Sequence, residues 1–135
     1  MSCHSSTTWL PRSRRAPGEG RLHLSELLAS VPDGARFLDS GLLIVSELVT
    51  NALVHGTPPG HLIHLALDLS LTPSPARLRI EVHDARRDRE PVLRALTLDG
   101  EAGRGLYLVK SLSARTGCSP REHTGKIVWS ELTAC

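Results

Sequence analysis

The chain has 135 residues, of which 40% are hydrophobic and 22% charged, and its formal net charge is +2. This length holds one hydrophobic core, and this composition excludes a largely disordered chain. So small a net charge argues against the strongly basic surface typical of nucleic-acid or anionic-membrane binding. We find no apolar run near the roughly 20 residues of a membrane span and no signal peptide, so we expect a cytoplasmic protein with no membrane partner.

Residues 1–20 are rich in Ser, Pro, Arg and Gly and lack hydrophobic periodicity. We expect a disordered leader or an incorrectly chosen start there, followed by a single domain over residues 21–135. The cysteines Cys3, Cys118 and Cys135 are odd in number and widely separated. This pattern predicts reduced thiols rather than a disulfide framework or a zinc site.

The first elements predicted along this domain are helices. A short helix fits residues 24–30, a second begins near Ala35, and the longest fits residues 42–55. Gly56 and Pro58 end the longest helix, because neither residue continues helical geometry well.

Hydrophobic residues then alternate over residues 61–70 and again over residues 76–84. Two such strands joined by the turn TPSP, residues 72–75, predict an antiparallel hairpin with one face toward the core. The sequence GKIVWSELT predicts a third strand over residues 125–133.

The region between the hairpin and the third strand holds a long polar loop and a helix. Residues 85–103 form a longer connection than most in compact domains, which is typical of functional loops. A helix is predicted from about Arg104 to Arg115, with Gly117 as its C-terminal stop. The order of elements predicts an α+β fold: a two-layer sandwich with helices packed on one face of a mixed, mostly antiparallel sheet.

A line of polar residues follows the most apolar helix. Glu47, Asn51 and His55 succeed one another at spacings of four, so they share one helix face. A solvated face is one interpretation, but such faces usually carry long charged side chains, and these short groups favour a ligand. Glu47 could accept a proton, and Asn51 could coordinate a hard cation through oxygen. His55 could line the same site or cap the helix, and we favour the cap.

Asp84 ends the second strand of the hairpin on its core-facing side. The alternation that turns Ile80 and Val82 inward also turns Asp84 inward. Burying even a neutral polar group without a partner costs on the order of 2–7 kcal/mol, and a charge costs more. Asp84 therefore either caps a turn where the strand has ended, or meets a hydrogen-bond donor.

Two glycines, Gly103 and Gly105, flank Arg104 at the start of an apolar helix. Helix N-termini present unpaired N–H groups, and glycine lets phosphate oxygens approach the backbone. The pair is a weak motif by itself, and Arg104 could assist a phosphate or be solvated. We expect Lys126 to be a solvated residue at a strand end, with a phosphate contact as the alternative.

Together and in this order, these motifs resemble the ATP-binding fold shared by DNA gyrase, histidine kinases and anti-sigma-factor serine kinases, over about residues 35–133. The final strand and the short separations are most similar to the small bacterial anti-sigma-factor-like ATP-binding proteins. The resemblance rests on four stretches: SELVTNALVHG at 46–56, EVHDA at 81–85, GRGL at 103–106 and GKIVWSEL at 125–132.

This resemblance implies a histidine-kinase-like ATPase fold that uses ATP and Mg²⁺, so that residues 21–135 form an ATP-binding domain. It implies that Glu47 is the catalytic base, Asn51 the magnesium ligand and Asp84 the acceptor for the adenine amino group. The implied nucleotide site further contains His55, Gly103, Arg104, Gly105 and Leu106.

The resemblance implies a serine/threonine kinase that binds a sigma factor, phosphorylates an antagonist protein and controls transcription by partner switching, with homodimer formation as a further expectation. The alternative is a non-catalytic module that binds ATP, or has lost it, and only docks a partner. Glu47 favours catalysis. The alternative rests on Ala85 and Arg86, because relatives usually carry glycine two residues after the aspartate, and on Ile127, where many relatives have Thr. Direct nucleic-acid binding through arginines such as Arg77 is not favoured, since few aromatic residues are present for stacking.

Overall fold

The computed structural model describes residues 3–84, 101–120 and 125–134, and of residues 56 and 101–106 it describes the backbone alone. The helical segments are α1 (Ala16–Ala29), a 3-10 turn (Gly34–Phe37), α2 (Leu38–Asn51), a π-helical turn (Ala52–Gly56) and α3 (Glu101–Leu112). The strands are β1 (Cys3–Leu10), β2 (Ile63–Ser70), β3 (Ala76–Asp84), β4 (Arg115–Pro120) and β5 (Lys126–Ala134).

The described strands form one five-stranded sheet in the order β1-β2-β3-β5-β4. Each neighbouring pair is antiparallel, so the expected mixed character of the sheet is not observed among the described strands. Helices α1 and α2 pack together, and α2 packs on β3 and β5. The predicted α+β sandwich is therefore confirmed, with the hairpin of β2 and β3 at its centre.

The core lies between this hairpin and the two helices. Alternate residues of β2 and β3 are fully buried because they point toward the helices, and the apolar face of α2 meets them. Each such side chain contributes roughly 1.5–3 kcal/mol on burial. The residues that make this contact are Ile63, Leu65, Leu67, Leu69, Leu78, Ile80, Val82, Ile44, Val45, Leu48 and Val49.

The expectation of a disordered leader is wrong for most of residues 1–20. β1 pairs antiparallel along the full length of β2, and Leu10 at its end is buried in the core. Helix α1 then begins at Ala16, eight residues before the short helix expected at residue 24. Gly20 allows α1 to approach α2 closely, since a Cβ there would lie 3.0 Å from Cγ1 of Val45.

Gly117 does not stop a helix. Helix α3 ends at Leu112, and Gly117 lies within β4, opposite Trp129 of β5. A Cβ on Gly117 would lie 2.7 Å from Cζ2 of Trp129, so glycine leaves room for the indole ring. Most of the loop expected over residues 85–103 lies outside the described residues.

One helical segment, Gly34–His55, is long and apolar enough to cross a membrane by length and composition. The sequence had predicted no apolar segment near the length of a membrane span. In the fold, Ile44, Val45 and Leu48 of this segment are buried against the sheet, which is the arrangement of a core helix.

Candidate functional site

Helix α2 presents Glu47 and Asn51 at the margin of its buried face. Leu48 and Val49 point into the core, so Glu47 and Asn51, one turn apart, are left half-buried beside them. Burial raises the pKa of the Glu47 carboxyl above its usual value. Glu47 is therefore a stronger base than an ordinary surface glutamate, which suits a group that accepts a proton.

Ser46 and Thr50, two other polar residues of α2, do not continue the line of Glu47 and Asn51. The Ser46 hydroxyl accepts a hydrogen bond from Nη1 of Arg21 and donates one to the carbonyl of Leu42, each at 2.9 Å. Ser46 thus joins α2 to α1, and Thr50 is exposed.

His55 is exposed and lies in the π-helical turn that follows Asn51. Because residues 52–56 are π-helical, the α-helical spacing of four does not fix the position of His55 relative to Asn51. Its predicted place beside the nucleotide stays a prediction.

Asp84 is buried, with 1% of its surface exposed, and it meets Lys126, which is 2% exposed. The two residues are direct cross-strand partners at the end of β3 and the start of β5. The Lys126 ammonium lies 3.1 Å from Oδ1 and 2.9 Å from Oδ2 of Asp84. This contact supplies the donor that a core-facing carboxylate requires, and the expectation of a solvated Lys126 is wrong.

Asp84 and Lys126 thus form a buried ion pair. Removing two charges from water costs several kcal/mol per ion, and attraction across about 3 Å in a low-dielectric interior offsets that cost only when both partners are present. Asp84 and Lys126 therefore depend on each other for their burial.

The predicted phosphate segment lies in the first turns of α3. Within the described residues the helix already includes Glu101, ahead of the expected start at Arg104, so Gly103 and Gly105 are both helical residues. Gly103 and Arg104 fall in the first described turn of α3. Helix α3 packs on α2, and α2 packs on β3. The three predicted parts of the site thus belong to neighbouring elements, with α2 in contact with both α3 and β3.

A family model for the histidine kinase-like ATPase domain matches residues 16–130. The chain belongs to this family. The match runs from α1 into β5, and it includes every predicted site residue. A search of curated proteins found no match to the chain. At the level of the superfamily, a histidine kinase-like ATPase domain is an ATP-binding regulatory domain.

The residues of this ATPase domain fit the ligand that the family binds. Asp84 offers a buried carboxylate to a hydrogen-bond donor, and Asn51 offers an amide oxygen to a hard cation. The described residues contain no cluster of three or more His, Cys, Asp or Glu side chains that could hold a metal ion. Mg²⁺ commonly takes one or two protein ligands and completes its shell with water and phosphate oxygens, so a site for it requires no such cluster.

Sequence reasoning placed Lys126 in solvent and did not single out Thr57, and both residues are buried. Lys126 could have been found by pairing the equal lengths of β3 and β5, which places an acidic strand end against a basic strand start. Thr57 follows the π turn, and its buried hydroxyl forms no hydrogen bond within the described ranges. The Thr57 carbonyl accepts a 2.7 Å hydrogen bond from Nε of Arg12, which ties the start of the chain to this end of α2.

Proposed function

We propose that this histidine kinase-like ATPase domain binds ATP with Mg²⁺ and phosphorylates Ser or Thr of a small antagonist protein, as anti-sigma-factor serine kinases do. It also binds a sigma factor and regulates transcription by switching between these two partners. The observation that carries the proposal is the buried carboxylate of Asp84, on the side of the sheet where α2 carries Glu47 and Asn51.

Each residue has one task in this proposal. Glu47 takes the proton of the attacking hydroxyl, and its raised pKa favours that transfer. Asn51 holds Mg²⁺, and Asp84 accepts a hydrogen bond from the adenine amino group. The segment from Gly103 to Leu106, in the first two turns of α3, holds phosphate oxygens. When bound, Mg²⁺ neutralises phosphate charge, and the remaining requirement of phosphoryl transfer is positioning, so few side chains suffice.

Calorimetric titration with ATP and Mg²⁺ tests the nucleotide site. Asn51→Ala and Asp84→Asn should each weaken binding about tenfold or more, since each removes a contact to a charged or buried group. Asp84→Asn retains a neutral acceptor beside Lys126 but removes its counter-charge, so circular dichroism must first show that this variant is folded. Thr50→Ala is the matched control, because Thr50 is exposed on the same helix. Unchanged affinity in both site variants would contradict the assigned roles.

Transfer of labelled phosphate to candidate antagonist proteins tests the catalytic step. Glu47→Gln should retain ATP binding and reduce the transfer rate by about 10²–10⁴-fold, the usual contribution of a general base. No transfer by the wild-type domain to an antagonist that it demonstrably binds would exclude the kinase.

A non-catalytic docking module is the second candidate. Two observations favour it. Lys126 already donates a hydrogen bond to Oδ1 of Asp84 and lies 2.9 Å from Oδ2, and Arg86 stands two residues after Asp84, where relatives usually carry glycine. This candidate predicts a folded wild-type domain that gives no heat on titration with ATP and Mg²⁺ while it still binds its protein partner.

A further inference from the structure

The ion pair of Asp84 and Lys126 is buried, and such pairs seldom stabilise a fold more than an apolar contact does. Both side chains are almost fully buried, and they approach within 2.9 Å. Replacing such a pair by apolar residues of similar volume is often neutral or stabilising. Lys126 stabilises a buried Asp84, but fold stability alone gives no reason for a buried ion pair, rather than an apolar pair, at these two positions.

The pair has a recognition property that an apolar pair lacks. It places a hydrogen-bond acceptor, the carboxylate, directly beside a donor, the ammonium group. Adenine offers the complementary pattern on adjacent atoms, because its N6 amino group donates and its ring nitrogen N1 accepts. An ammonium carries three N–H donors, so contact with Asp84 is compatible with donation to a base.

We propose that Lys126 is a specificity-determining residue that donates a hydrogen bond to N1 of adenine while Asp84 accepts one from N6. This inference rests on the proposed function, since it requires the base to meet Asp84. Guanine in the same orientation would oppose its O6 carbonyl to the Asp84 carboxylate and its N1–H group to the Lys126 ammonium. Both contacts are repulsive, so Lys126 and Asp84 together reject guanine.

Binding of ATP and of 1-deazaadenosine triphosphate, in which a C–H group replaces N1, tests this role directly. In the wild-type domain, calorimetry should show about 10- to 100-fold weaker binding of the deaza analogue, since a hydrogen bond to a charged group is lost. Lys126→Met should bind both nucleotides equally. Lys110→Met, which changes the other lysine of the chain on the exposed face of α3, should keep the full difference.

Lys126→Met leaves Asp84 buried without its cationic partner and could fail to fold. The double variant Asp84→Asn, Lys126→Met provides a neutral pair that still accepts from N6, and it should also bind both nucleotides equally. The wild-type comparison requires no variant at all.

The outcomes separate this inference from the function on which it rests. Equal wild-type affinity for ATP and the deaza analogue, or a difference that persists without Lys126, overturns the role of Lys126 and leaves ATP binding intact. Failure of the folded wild-type domain to bind either nucleotide overturns both.

Discussion

The indole ring of Trp129 lies against the backbone of Gly117 on the neighbouring strand, where a Cβ would approach Cζ2 to 2.7 Å. The guanidinium group of Arg79 covers the same ring at 4.4 Å from its centroid. Trp129 is therefore held between a strand backbone and a cation on the sheet face opposite the helices.

Gly117→Ala should destabilise the protein by about 1–3 kcal/mol, because the added methyl group must displace the indole ring. Urea unfolding measures the change. Gly18→Ala in α1 is the control: its Cβ would meet only the flexible end of Arg21 at 3.5 Å, so alanine there should be neutral or slightly stabilising. Equal stability of Gly117→Ala and the wild type would show that the ring is not closely packed.

Removing one partner of the buried ion pair should lower the free energy of unfolding more than replacing both partners by apolar residues. Lys126→Met alone should lower the free energy of unfolding by roughly 3–5 kcal/mol, since it leaves the Asp84 charge buried without its partner. Asp84→Leu combined with Lys126→Met should recover most of that loss. Denaturant unfolding of the single and double variants forms the required cycle, and additive losses would contradict mutual dependence.

Glu47→Gln should raise the thermal midpoint at neutral pH. Burial raises the pKa of Glu47 in the folded state, so its ionised form opposes folding, and the stability that the protonated form provides is lost as pH rises through the folded-state pKa. The difference should vanish well below the usual value of 4.5, where Glu47 is protonated in both states. Glu26→Gln, at an exposed position of α1, is the control for simple charge removal. A lower midpoint at pH 7 would rule out this explanation.

Glu81→Gln should lower the thermal midpoint at neutral pH. Burial alone would raise the pKa of Glu81, but hydrogen bonds from Arg79 and His83 and attraction to both groups lower it overall. Ionised Glu81 therefore contributes stability above the usual value of 4.5, and that stability is lost as pH falls through the depressed pKa. Thermal midpoints of wild type and variant should differ at pH 7 and converge in acid. A constant difference across the range would exclude an ionic origin.

Deletion of residues 1–10 should promote self-association. The deletion removes β1 and leaves the N–H and C=O groups of β2 unpaired along a new sheet edge. Size-exclusion chromatography of the full and shortened chains at equal concentration measures the effect. As a control, Trp9→Ala removes the largest exposed side chain of β1 and keeps its backbone pairing. An unchanged elution profile of the shortened chain would contradict the role of β1 as edge protection.

The sequence predicts the central strands better than the edge strands for a physical reason. β2, β3 and β5 bury one apolar face each, so their alternation is clear. β1 and β4 lie at the two edges of the sheet and carry mostly short polar side chains, so only their pairing partners define them.

The residues of the candidate site also differ in how well the sequence predicts them. Helix spacing selects Glu47 and Asn51, and strand parity selects Asp84, because these patterns are local. Lys126 could not be placed from its own surroundings, since its burial depends on β3 and β5 being neighbours although α3 and β4 separate them along the chain.

The π-helical turn of Ala52–Gly56 makes the end of the long helix sensitive to chain length. Such a turn holds one residue more than the α-helical turn it replaces. Loss of one residue, such as the exposed Val54, would let the α-helix continue and would rotate every following residue about the helix axis. Thr57 would then meet Arg12 at a different angle. A gap of one position here, in a comparison of related chains, therefore marks a reorientation of the connection into β2 rather than a neutral difference in loop length.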